Sequence, residues 1–148
     1  MLRIKKEIYE EMLNHCINCL PYEACGILAG KDNLVTEIYK IKNIESSSVS
    51  YFMEPKEQLK AMKDIRQRGL EMVAIFHSHP FGSAYPSQKD LELAFYDVYY
   101  IIVSIEPIEE ISPVFADRQE QIFKETKINL KCFKIKENYV KEKKILVG

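Results

Sequence analysis

The sequence has no excess of either charge. Its 21 basic and 22 acidic side chains leave a formal net charge of -1, without the basic surplus expected of a nucleic-acid binder. It contains no run of the ~18 apolar residues that a membrane span requires. The N-terminus, MLRIKKEIYEE, lacks the apolar stretch of a secretory signal and turns acidic at once. Repeats, low-complexity tracts and linkers are also missing. These absences predict a cytoplasmic protein with neither nucleic acid nor membrane as partner. The four cysteines, Cys16, Cys19, Cys25 and Cys132, are not spaced as a disulfide framework, which agrees with a reducing compartment. Cys16 and Cys19 form a C-x-x-C, but no second pair follows to complete a zinc site. Within a helical pattern they read as small buried hydrophobes. Near the C-terminus Glu142 interrupts the basic residues Lys141, Lys143 and Lys144, so this stretch reads as a solvated tail.

What remains is ordinary globular composition, with 47% hydrophobic and 29% charged residues in 148. One domain spanning residues 1–148 is expected, burying roughly 70% of its unfolded surface. Ile8, Met12, Cys16 and Leu20 recur at helical spacing, and Pro21 must stop that helix. Residues 24–29 read as a short buried strand, and Gly30 to Asn33 as a turn. A second strand follows from Leu34 to about Ile44. Pro55 suits the first turn of a helix that runs to about Arg68 and stops at Gly69. Met72 to Phe76 reads as a central strand. The turn-rich Pro80–Pro86 precedes a helix from about Gln88 to Tyr96 with Ser87 as its N-cap. Further strands are expected at Tyr100–Ile105 and over 112–117, 120–126 and 129–136. The order of elements predicts an α/β (α+β) fold with a mixed, mostly antiparallel sheet flanked by about three helices.

Two of the three histidines, His77 and His79, stand two apart at the end of the central strand. In extended chain they project to the same side and can reach one point. Asp90, in the first turn of the helix opened by Ser87, is the natural third ligand, since the loop before it lets the chain double back. Two imidazoles and a carboxylate make three of the four positions of a catalytic zinc and leave one for water. Simpler roles exist for the same residues. A His-x-His can arise by accident in a strand, and Ser87-x-x-Asp90 resembles a capping box with Asp in place of Glu or Gln. Hydrolysis also needs a base. The sequence has no H-E-x-x-H motif to provide one. Glu23, between the helix break at Pro21 and the strand that follows, is either that base or an exposed charge at a join.

His77-Ser78-His79-Pro80, followed by six residues, Ser87, two residues and Asp90, resembles the H-[ST]-H-x7-S-x2-D signature of the JAMM (MPN+, Mov34-type) metalloproteases. Glu23-Ala24-Cys25-Gly26-Ile27-Leu28-Ala29-Gly30 resembles the strand that carries that family's catalytic glutamate. The resemblance extends over roughly residues 5–105. It implies that His77, His79 and Asp90 bind Zn2+, that Glu23 is general base and then acid, and that Ser87 donates a hydrogen bond to the oxyanion. It gives Ser78 and Pro80 a shaping role only. The chain lacks the long insertions of eukaryotic ubiquitin-cleaving members and looks like the short prokaryotic branch. That branch implies hydrolysis of a peptide or isopeptide bond at the C-terminus of a ubiquitin-like or sulfur-carrier protein.

The alternative is a non-catalytic MPN-fold binding or scaffold module, against which the complete Glu, His, His, Ser and Asp set argues. A DNA-repair relative of the RadC type favours Asn where this chain has Ser78. Cys25 reads as structural filler and His15 as a surface or packed histidine. Exposed strand edges could pair two chains into a homodimer or accept a substrate tail.

Overall fold

A computed structural model of the chain describes residues 1–107 and 126–148. Its elements are β1 (Leu2–Ile4), α1 (Lys6–Asn18), β2 (Cys25–Lys31), β3 (Leu34–Ile41), α2 (Pro55–Gln67), β4 (Glu71–His79), α3 (Gln88–Glu92), β5 (Tyr99–Pro107), β6 (Thr126–Lys136), β7 (Tyr139–Lys143) and β8 (Ile145–Val147). The strands form one sheet in the order β7-β6-β5-β4-β2-β3-β1-β8. The β1–β3, β1–β8 and β4–β5 pairs are parallel, and the other pairs are antiparallel. This is the expected mixed, mostly antiparallel sheet with three helices. Among the described residues no helix is long and apolar enough to cross a membrane.

Local chemistry sets the connections. Asp32 and Asn33 adopt φ of 52° and 62°, the two left-handed positions of the tight turn that matches strand twist. Glu54 caps α2 by accepting from the Glu57 amide at 2.6 Å, Pro55 opens it, and Gly69 (φ 67°) ends it. Alternation along the inner strands divides the core between the sheet's two faces. Leu28, Phe76, Ile101, Val103 and Cys132 pack with Met12 and Cys16 of α1. Their neighbours Ile27, Ile75, Tyr100, Ile102 and Phe133 pack with Ala61 and Ile65 of α2. Each large aliphatic or aromatic side chain so buried contributes roughly 1.5–3 kcal/mol. The C-x-x-C is structural in this packing: Cys16 is fully buried, Cys19 is half-buried, and both thiols are free.

Three expectations need correction or placement. The helix after Ser87 ends at Glu92, not near Tyr96. The Tyr100 hydroxyl accepts from the Tyr96 amide (3.0 Å) and donates to the Tyr96 carbonyl (3.1 Å), taking groups that a longer helix would have used and turning the chain into β5. The basic C-terminal stretch is not a solvated tail. Glu137 and Asn138 (φ 49° and 67°) make a second tight turn, after which β7 pairs with β6 and β8 pairs with β1. The strands expected over 112–117 and 120–126 lie outside the described residues apart from Thr126, and 129–136 falls within β6.

β7 and β8 stand at opposite ends of the strand order, yet only Lys144 separates them in the chain. The sheet therefore curls around α1 until its two edges approach one another.

Candidate metal centre and its base

The end of β4 and the start of β2 lie side by side, with Cys25 opposite His77 in the ladder. His77 and His79 lie on one side of β4, as period-two geometry requires. Asp90 is brought to them by the capping box at the head of α3. There the Ser87 hydroxyl accepts from the Asp90 amide (3.1 Å) and Asp90 Oδ2 accepts from the Ser87 amide (2.9 Å). The capping box aims the Asp90 carboxylate at the two histidines, so capping does not prevent it from serving as a ligand.

Three donor atoms converge. His77 Nε2 and His79 Nε2 are 3.0 Å apart, and each is 3.1 Å from Asp90 Oδ2. Ligands at ~2.0–2.2 Å around a tetrahedral ion stand roughly 3.4 Å from one another, so this triangle is close to one face of such a site. The His79 Nδ1–H donates to the Ser83 carbonyl at 2.7 Å, which leaves the Nε2 lone pair facing the triangle. This is the usual way an outer carbonyl fixes a metal-binding tautomer. His77 is buried, and its ring stacks on Tyr51 with centroids 4.6 Å apart. Glu23 approaches from the segment just before β2. It offers a carboxylate oxygen within the same 4.8 Å grouping as the two histidine nitrogens. Glu23 is only 3% exposed, and its Oε1 has no hydrogen-bond partner. Electron-pair donors crowded around one point, with a buried carboxylate oxygen left unpaired, are satisfied by a cation and a water. The donor set fits a divalent metal.

The electrostatics follow from this crowding. Burial pushes the Glu23 carboxyl up to about 8, with Asp90 adding to the rise and His79 opposing it. Burial also lowers His77. For His79, burial disfavours the imidazolium, but the bonds to Asp90 and the Ser83 carbonyl outweigh it and the net shift is upward. Asp90 is likewise opposed by burial, yet its contacts with His77 and His79 hold it far below the ordinary carboxylate range.

Every site residue expected from the sequence lies at this place: Glu23, His77, His79, Ser87 and Asp90. Cys25 is buried and donates to the Ile41 carbonyl at 3.3 Å, and burial pushes its thiol up to about 12. It is structural. His15 is half-buried, with Nε2 3.3 Å from the Cys25 carbonyl and its ring edge-on to Phe76. Ser78 has a larger part than shaping a turn. Its buried hydroxyl accepts from the Ala24 amide (2.8 Å) and its own amide donates to the Ala24 carbonyl (3.1 Å), so it stitches the Glu23 segment to the strand between the two histidines. Tyr51 was not legible as a site residue. It lies in the loop between β3 and α2, and only the tertiary fold sets its ring against His77.

A family model described as prokaryotic homologs of the JAB domain matches residues 5–117. Over 83 residues the chain is 43% identical to a desampylase of Pyrococcus furiosus, a match covering 55% of this chain and 59% of that protein. Over 103 residues it is 34% identical to a probable TtuB-protein conjugate cleaving protease of Thermus thermophilus, covering 69% of each. A Desulfitobacterium hafniense protein solved in solution is 36% identical, with a TM-score of 0.78 over 100% of this chain and 93% of that one. The chain belongs to the prokaryotic JAB-domain family.

Proposed function

We propose that this protein is a zinc-dependent hydrolase that cuts a peptide or isopeptide bond at the C-terminus of a ubiquitin-like or sulfur-carrier protein. The observation that carries this is the triangle of His77 Nε2, His79 Nε2 and Asp90 Oδ2, at 3.0–3.1 Å from one another, with Glu23 beside it. A desampylase and a conjugate-cleaving protease among the relatives support a protein-conjugate substrate.

His77, His79 and Asp90 would hold the zinc. When bound, the ion polarises a carbonyl and eases deprotonation of water near neutral pH. Glu23 takes the proton of the attacking water on its carboxylate and returns it to the leaving nitrogen, the two halves of general acid–base work. The buried position of Glu23 keeps bulk water from competing for that proton. Ser87 turns its hydroxyl proton to the carbonyl oxygen as charge builds there, a contact worth ~3–4 kcal/mol where comparable donors have been removed. Its lone pair meanwhile stays on the Asp90 amide, so one side chain both caps α3 and serves the reaction.

The test is incubation of zinc-loaded protein with sulfur-carrier proteins bearing C-terminal extensions, followed by mass spectrometry. Release of the extension is expected, with Glu23→Ala losing cleavage while retaining one zinc per chain. A pure protein that takes up no metal on titration would end this reading.

A further inference from the structure

Asn43 stands just beyond β3, at the start of the loop leading to α2, and its side chain uses its whole hydrogen-bonding capacity. Nδ2 donates to the Glu23 carbonyl (3.0 Å) and the Ser50 carbonyl (3.1 Å). Oδ1 accepts from the amides of Glu45 (3.1 Å) and Phe52 (3.0 Å). A carboxamide has two donor protons and an acceptor oxygen with two lone pairs, so nothing is left over. The Ser50 carbonyl and the Phe52 amide belong to the peptide groups on either side of Tyr51, whose ring stacks on His77. The Glu23 amide donates to the Ser47 carbonyl of the same loop at 2.8 Å. Both backbone groups of Glu23 are therefore held by the segment that Asn43 organises. The base of that loop is closed by the Ile44 amide on the Phe52 carbonyl (3.0 Å) and an Asn43–Met53 bridge.

No protein group holds Glu23 Oε1 by a hydrogen bond. Its location depends on where the backbone carries it. We infer that Asn43 is a positioning residue that sets Glu23 against the His77, His79 and Asp90 cluster. The inference rests on the proposed role of Glu23 as base. Displacement of a reacting group by about 1 Å costs on the order of 100-fold in rate, so loss of the Nδ2 bond to Glu23 should be read in turnover.

Asn43→Asp separates the two halves of the side chain: it keeps an acceptor for the Glu45 and Phe52 amides and can donate to neither the Glu23 nor the Ser50 carbonyl. The experiment compares wild type, N43D, E23Q and the double variant as zinc-loaded full chains acting on an extended carrier protein. It reads kcat, KM, zinc content and melting temperature. N43D is expected to lower kcat by roughly 10- to 100-fold, with KM within about twofold and one zinc retained. In the E23Q background N43D should change the residual rate by less than about twofold, because residues that act through one another are non-additive. Wild-type kcat in N43D, or losses that multiply in the double variant, would overturn the inference while leaving the base role intact. Should N43D fold poorly, Asn43→Ser, too short to reach Glu23, is carried through the same cycle. If both variants lose zinc or unfold, Asn43 is structural and the positioning role is refuted. Full activity in E23Q would instead bring down the base assignment itself.

Discussion

Glu23→Gln in the metal-free protein should change how stability depends on pH. Glu23 is almost fully buried, and its carboxyl is pushed from an ordinary 4.5 to about 8, chiefly by desolvation. A group whose native pKa lies above its unfolded value holds its proton more tightly when folded. Its stabilising contribution is complete below about pH 4.5 and is lost as pH rises through about 8. At ~1.4 kcal/mol per pH unit the interval sets a ceiling of about 5 kcal/mol. Relaxation and water entry around a buried ion reduce such penalties, leaving about 2–4 kcal/mol. Glutamine has nearly the same shape and does not titrate. Urea unfolding of both chelator-treated proteins between pH 4 and pH 9 should give curves that coincide near pH 4.5 and diverge as pH rises, with the variant the more stable above pH 8. With zinc bound the gap should shrink, because a nearby cation favours the carboxylate. Parallel curves, or a wild type that gains on the variant with rising pH, would refute the assignment of a desolvated carboxyl at this position.

Zinc at a hundred times its dissociation constant should stabilise the protein by ~2.7 kcal/mol, or about 6–10 °C in melting temperature for a chain of this size. Asp90→Asn should remove most of that shift in a thermal scan. Ser78→Ala strands the Ala24 amide next to Glu23, and chemical denaturation should record a loss of about 1–3 kcal/mol. A Cβ at Gly30 would collide with the Leu34 backbone across the β2–β3 hairpin, so Gly30→Ala should cost about 1–3 kcal/mol or more; unchanged urea stability would contradict the hairpin geometry. Ser87→Ala should cost about 1 kcal/mol through the lost cap and lower kcat by a larger factor than that loss of stability explains, as steady-state kinetics would show.

Much of the fold could be read from local chemistry. Pro55 and Ser87 mark helix starts because each solves the unpaired-amide problem at a helix head in its own way. Apolar runs such as Met72–Phe76 announce strands covered on both faces. The candidate metal triangle was legible because two of its members share one strand at period two and the third shares a capping box, so short-range rules place them. The proposed base came from the family resemblance, since a glutamate at a join has no local signature. Tyr51 and Asn43 were out of reach because their roles consist of contacts made across 20 or more residues to His77 and Glu23. The C-terminal hairpin was hidden by its composition. Tyr139–Lys143 carries charge on much of its length and is mostly exposed, as suits an edge strand, and Glu137-Asn138 is a weaker turn signal than Asn-Gly.

The pairing of Leu2, Arg3 and Ile4 with Ile145, Leu146 and Val147 has a bearing on how the molecule is made. During synthesis β1 can find β3 early, but its other flank stays unzipped until residues 145–147 have left the ribosome. Until then the nascent chain carries an open hydrogen-bonding edge along β1, and the clasp shuts only once β8 has been made.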